Sequence, residues 1–399
     1  MLIKPAIFLL PVVIATAAAA LASEGSAGSP DAKSYMNIRG DLSNFRLLVA
    51  SGQAVRVAYL GGSITEHGAW VGQVSKNLAK RFAGSKFDFV NAGISSYDST
   101  SDVFRFERDV TAGGRVDLLF VDCAVNDLHN QRGQTERIRA MEGIVRKARR
   151  HNPNMDVVIL HFADLPHVKD YNAGKTPPII ASHEKVASHY GVSTINMARR
   201  VADDIQAGRY EWKKFGGAHP SPFGHQLYAA MIEKFFDAAT AKPIPAGAKP
   251  TSHSLPDKPL DAFNYGNARL LKLEDAKIVR GWKILPTPGV PTRPRHKSVP
   301  FLVATEAGAE LSLAFTGKAV GYVGVIGPDC GMIEYRIDDG PWKTRDPFTR
   351  WSRRLHLGWT LVLEADLPPG RHVLTLRTSE KRNTASKGNA CRIRRFLAN

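Results

Sequence analysis

Val55-Arg56-Val57-Ala58-Tyr59-Leu60-Gly61-Gly62-Ser63-Ile64-Thr65 decides how the chain is read. Val55–Leu60 is a near-continuous apolar run, the pattern of a strand buried on both faces. Trp70–Phe82 follows with the spacing of an amphipathic helix. Ser63 therefore sits on a glycine-rich turn between the first strand and first helix of an α/β domain. Its hydroxyl projects from the carboxyl end of a strand, where ligands bind in open α/β sheets. The following helix aims backbone N–H groups and its positive dipole end at an anion formed there. The same residues also suit a plain tight turn, or an anion site with an incidental serine, and the stretch alone leaves these readings open.

The 399 residues carry a formal charge of +17 and a pI near 9.8. Such a balance favours acidic partners: anionic polysaccharide, lipid headgroups or nucleic acid. Basic residues are spread along the chain, without a helix-turn-helix, zinc-finger or RNA-binding signature, so nucleic acid is not the expected partner. Residues 1–22 read as a signal peptide: Lys4, an apolar stretch from Ala6 to Leu21 interrupted by Pro11, and an Ala20-Leu21-Ala22 site with cleavage before Ser23. The polar Ser/Gly stretch that follows argues against an uncleaved anchor. No later run approaches the ~20 apolar residues of a membrane span, so the mature protein is expected to be soluble, without membrane insertion, and periplasmic or secreted. Cys123 falls in a core strand. In an oxidising compartment Cys330 and Cys391 could pair as a disulfide. No cysteine/histidine spacing fits zinc, and no metal or organic cofactor is implied.

Outward from the turn, strand signals recur at Phe87–Ala92, Val116–Ala124, Met155–Phe162 and Val192–Ile195. Helices are expected over Tyr35–Val49, Gln134–His151 and Pro222–Ala238. In Gln134–His151 the apolar Ile138, Met141, Ile144, Val145 and Ala148 form one face. Arg137, Arg139, Arg146, Lys147 and Arg149 are assigned to the other, polar face. Alternation of apolar strands and helices implies a parallel sheet covered on both sides. Residues 241–260 are proline-rich and read as a linker. Beyond them helical periodicity gives way to strand alternation, as in Glu310–Phe315 and Met332–Ile337. A β-sandwich, jelly-roll-like, is therefore expected over 261–399, after an α/β domain over 35–240.

Four clusters follow Ser63 at successive strand ends: Asn91-Ala92-Gly93, Val125-Asn126-Asp127, His161-Phe162-Ala163-Asp164, and Gly217-Ala218-His219 before the last helix. In a parallel sheet these ends converge on one edge. A serine nucleophile needs a base, usually histidine near neutral pH. The tetrahedral intermediate needs donors aimed at its oxyanion, and a glycine N–H and an asparagine amide are suitable.

With these residues in order the chain resembles the SGNH/GDSL hydrolase superfamily. Ser63 matches the block I serine, in Gly-Gly-Ser-Ile-Thr rather than Gly-Asp-Ser. Gly93 matches the block II glycine, Asn126 the block III asparagine and His219 the block V histidine. The resemblance implies a three-layer α/β/α, flavodoxin-like fold and a serine ester hydrolase. Ser63 would be the nucleophile and His219 the base, with an oxyanion hole formed by the N–H groups of Ser63 and Gly93 and the amide of Asn126. Variants with Gly-Gly-Ser and an appended β-sandwich are most similar to carbohydrate esterases that remove O-acetyl groups. The expected substrate is thus an acylated poly- or oligosaccharide, with the basic charge pointing to an acidic one.

One departure matters. The family's block V usually has Asp three residues before its histidine, and here that residue is Gly216. An orienting carboxylate is worth about 10⁴ in kcat in other triads. The reading is a working Ser–His dyad oriented by a backbone carbonyl, against replacement by Glu66, Asp102, Asp164 or Glu211 and against a catalytically weak protein. Gly62 and Glu66 are possible supports, Asp127 is expected to tie loop N–H groups, and His225 is the close rival to His219. The loop Gly327–Gly331 either turns the chain or reaches the cleft. Other classes stay open: a lipase or lysophospholipase, an O-acetyltransferase, and a non-catalytic glycan-binding protein.

Overall fold

The computed structural model describes residues 35–40 and 42–399. The signal peptide expected over residues 1–22 lies outside them. In chain order the first half contains β1 Met36–Asn37, α1 Ser43–Ala50, β2 Val55–Gly61, α2 Ser63–Glu66, α3 Ala69–Arg81, β3 Phe87–Gly93 and α4 Ser99–Phe106, which runs into a π turn. It continues with β4 Leu118–Asp122, α5 Ala124–His129, α6 Gln134–His151, β5 Asp156–Leu160, α7 Leu165–Asn172 and α8 Pro178–Tyr190. It ends with β6 Ser193–Ile195, α9 Met197–Gln206, α10 Trp212–Phe215 and α11 Pro222–Ala239.

The sheet order is β1-β6-β5-β4-β2-β3. All neighbours are parallel except β1, which runs antiparallel to β6. Every residue of β4 and β5 is buried, as the apolar runs require of a sheet covered by helices on both faces. From β2 the chain crosses to β3 on one side and returns to β4 on the other. The carboxyl end of β2, where Ser63 begins α2, is thus the point at which the winding reverses and a crevice opens.

The second half contains β7 Arg269–Leu271, β8 Ala276–Arg280, β9 Lys283–Leu285, α12 Pro294–Lys297, β10 Phe301–Ala304, β11 Glu310–Gly317 and β12 Val320–Ile326. It closes with β13 Ile333–Ile337, β14 Lys343–Arg345, β15 Leu357–Glu364, β16 Gly370–Thr378 and β17 Cys391–Ala398. One antiparallel sheet has the order β15-β12-β17-β10-β9, with β7 also paired to β17, and the other β14-β13-β16-β11-β8. Alternate residues of the two sheets, such as Tyr322 and Phe396 against Leu313 and Leu376, share one core.

Three expectations change. The helix over Tyr35–Val49 is confined to Ser43–Ala50, while Met36 and Asn37 pair with Ile195 and Thr194. Two strand residues carry no periodicity, and Gly40 at φ +82° breaks the run. The polar face of α6 does not face solvent. Arg137, Arg139, Lys147 and Arg149 are buried, because the rest of the chain packs over them. Lys147 donates to the carbonyls of Val103 and Ala268, and Arg139 bonds Asp261 at 2.9 Å and Asp366 at 2.6 Å. Residues 241–260 hold no helix or strand, yet they form a fixed strap. Thr251 exchanges hydrogen bonds with Asn44, His253 bonds Asp156, and the buried Glu142 accepts the N–H groups of Leu260 and Asp261 at 2.7 and 3.0 Å. Periodicity reports that a helix has two faces; it does not report what covers the second one.

Candidate active site

The turn after β2 places the serine as its sequence suggested. Gly62 precedes α2, and Ser63 is the first helical residue. A Cβ built on Gly62 would lie 2.1 Å from Asn126 Nδ2, so glycine here lets the amide approach the turn. Pro222 opens α11 with Ser221 as its N-cap, the Ser221 Oγ accepting from Gly224 N. The loop before this cap carries His219. Ser63 Oγ and His219 Nε2 are 2.7 Å apart.

Three residues, Ser63 itself among them, line the cavity beside the serine hydroxyl. The Ser63 N–H begins a helix. Asn126, on α5, gives one amide N–H to the Tyr97 carbonyl at 2.5 Å, and an amide has two. The third is Ser96, which the sequence did not single out. It adopts φ +70°, its carbonyl is held by Asn130 Nδ2 at 2.9 Å, and it lines the same cavity as Ser63 and Asn126. The expected Gly93 donor is corrected. Its N–H bonds Asn91 Oδ1 at 2.9 Å, and a Cβ there would lie 2.2 Å from Glu66 N. Gly93 thus serves close packing of β3 against α2. A glycine at a strand end leaves a mark in sequence that a serine in the left-handed region does not.

No carboxylate among the described residues hydrogen-bonds His219. Asp164 accepts from Leu165 N and pairs with His129 at 2.8 Å. Glu66 accepts from Ser95 N and Oγ and pairs with Arg295. Asp102 is buried against Arg105, and Glu211 precedes the short α10. Gly216 explains why the usual aspartate position is empty. It has φ +105°, and a Cβ built on it would lie 2.1 Å from Ser221 N. The His219 loop is closed too tightly for any side chain there. His219 titrates below the ordinary histidine value because of its burial, followed by the positive neighbours His67, Arg293 and His129; Asp164 opposes them.

His225 lies on α11 with Nδ1 shielded and unpartnered; it has no hydrogen bond to Ser63. Asp127 is fully buried, accepting from Ser99 N and Oγ and from His183 Nε2. The Gly327–Gly331 loop does not reach the cleft: Asp329 pairs there with Arg392 and His356, bracing the sandwich. The Cys330–Cys391 disulfide is not formed, and all three cysteines are free and buried.

Two cavities flank the Ser63–His219 pair. One, of 370 Å³, is walled by Ile64, Val125, Trp351, Leu355 and Leu357. The other, of 470 Å³, is walled by Glu66, His67, Ser95, Arg295 and His296. Arg293 lines both. Each cavity has one wall from each half of the chain, so the site is composite. The C-terminal contributions had no motif to announce them; only the docking of the sandwich brings them to the serine.

A glycine-rich turn after β2, with a serine bonded to a histidine ahead of α11, is the arrangement that the resemblance to SGNH hydrolases implies. Residues 59–227 match the GDSL-like lipase/acylhydrolase family. No curated protein matches the chain. Among solved structures, a two-domain esterase active on acetylated mannans superposes with a TM-score of 0.75 at 19% identity, covering 92% of this chain and 98% of that one. The same kind of esterase co-crystallised with mannopentaose gives 0.74 at 20% identity, covering 92% and 97%. The shared fold thus spans both halves.

Proposed function

We propose that the chain is an exported serine esterase that removes short acyl groups, chiefly acetyl, from a carbohydrate. The observation that carries this is the 2.7 Å contact between Ser63 Oγ and His219 Nε2 at the junction of two cavities. Ser63 Oγ attacks the ester carbonyl while His219 Nε2 takes its proton. The oxyanion is met by the N–H groups of Ser63 and Ser96 and by the Asn126 amide. His219 returns the proton to the leaving sugar oxygen, and water then releases the acyl group by the same path. The depressed pKa of His219 keeps it neutral and ready as a base at neutral pH. Support for a carbohydrate comes from the fold shared, in both halves, with an esterase described as active on acetylated mannans.

The test is hydrolysis of aryl acetate, butyrate and octanoate, and of acetylated mannan, by the wild type beside Ser63→Ala. Release of acetate that falls with chain length and drops by roughly 10³-fold or more in the variant supports the proposal. The apolar wall of Trp351, Leu355 and Leu357 favours, as second reading, a lipase, and preference for octanoate would select it. Wild-type activity equal to that of Ser63→Ala would end the esterase reading. Export is tested by the N-terminus of the protein recovered outside the cytoplasm, expected at Ser23.

A further inference from the structure

The guanidinium of Arg293 is a feature of the cleft that the acyl-transfer steps leave unused. It lines both cavities beside Ser63 and His219. Its Nη1 is shielded from solvent and has no hydrogen-bond partner, and no ion pair involves Arg293 among the described residues. Neighbouring cations differ: Arg295 pairs with Glu66 and bonds the Gly93 carbonyl, and Arg350 bonds His129 Nδ1.

The two carboxylates near the cleft are already engaged, Glu66 by Ser95 and Arg295 and Asp164 by Leu165 N and His129. Neither bonds Arg293. Arg293 is also held in place. Thr292 Oγ1 bonds the His356 carbonyl at 3.2 Å, the Arg293 carbonyl accepts from His296 N at 2.9 Å, and His296 is buried against Gly358 of β15, where a Cβ would lie 2.2 Å from its Nε2.

A guanidinium stays charged and carries five donors. Leaving one of them desolvated and unpaired, as at Nη1, is unfavourable, and a planar two-oxygen anion relieves it best. We infer that Arg293 binds a carboxylate of the substrate, so that the preferred substrate is an O-acylated glycan containing uronic acid residues. This rests on the esterase reading above. The apolar wall of the first cavity takes the rest of the ring, and the carboxylate sits at Arg293 between the two cavities, beside the Ser63 that meets the ester.

The experiment compares chemically O-acetylated polygalacturonate with acetylated mannan, using wild type, Arg293→Gln and Arg293→Lys. The wild type is expected to favour the polygalacturonate. Arg293→Gln should lower the ratio of kcat/KM on the two polymers by about tenfold or more, and Arg293→Lys should retain part of it. Added salt should depress kcat/KM on the acidic polymer more than on mannan. An equal loss on both polymers in Arg293→Gln, or a wild-type preference for mannan, overturns the assignment. Calorimetry with unesterified trigalacturonate and mannotriose separates the two ideas, since it needs no catalysis. Tighter binding of trigalacturonate, lost in Arg293→Gln, sustains the role of Arg293 even if no ester is cleaved. Equal binding of both sugars, or binding unchanged in the variant, removes it.

Discussion

At the scale of single residues the histidine is the informative one. His219 must be neutral to accept the serine proton, so kcat/KM is expected to be flat on the alkaline side and to fall as pH drops through its pKa. Burial and the charges of His67, Arg293 and His129 lower that pKa from 6.5, against Asp164. The acid limb should therefore lie below pH 6.5. Arg293→Gln removes a positive neighbour and should move the limb upward, toward the ordinary value. A pH–rate profile on a neutral aryl acetate measures both, and an acid limb above 6.5 in the wild type would contradict the surroundings described for His219. The convergence of Ser63, Asn126 and His219 on one cavity was legible in sequence because each stands at a strand end or ahead of a helix, where side-chain chemistry and backbone signals coincide. Ser96 was not. It lines the cavity with a positive φ, and nothing in a Ser-Ser pair announces that.

At the scale of elements, the His219 loop explains a gap that sequence could only note. Gly216 stands where an aspartate is usual, and the loop's own backbone fills the space a side chain would need. Gly216→Asp is therefore expected to lower kcat and thermal stability together, with no rescue of a triad. Improved kcat with an unshifted melting temperature would show instead that the loop can open to admit a carboxylate. The sheet strands and the helices α3, α6 and α11 were readable to within a few residues, since long periodic segments carry their own evidence. The two residues of β1 were too short to do so. The cations of α6 were misread because a charged residue near the ends of its reach looks the same in sequence whether it meets water or another part of the protein.

At the scale of the whole molecule, the strap and the sandwich are held to α6 by buried polar contacts. Glu142 accepts two strap N–H groups and the Tyr190 hydroxyl. Glu142→Ala leaves them unpaired and should cost roughly 2–3 kcal/mol of stability, read by urea denaturation; a change within error would mean that the strap is not fastened there. The free thiols give a separate check. Native protein should be nearly inert to a thiol reagent, whereas protein unfolded without reductant should titrate three cysteines, and a count of one would restore the Cys330–Cys391 bond. The C-terminal walls of the cleft, Arg293 and Trp351 to Leu357, were invisible in sequence because their role depends on how two halves dock, and docking has no local signature.

The burial of Arg139 and Lys147 beneath the second half has a consequence for ancestry. Appended modules are commonly gained, lost or exchanged by recombination when the contact between them is slight. Here an α/β half separated from its companion would strip Arg139 and Lys147 of partners and lose one wall of each cavity. The two halves must therefore be inherited together, and the specificity of the serine evolves as much through changes after residue 290 as through changes around residue 63.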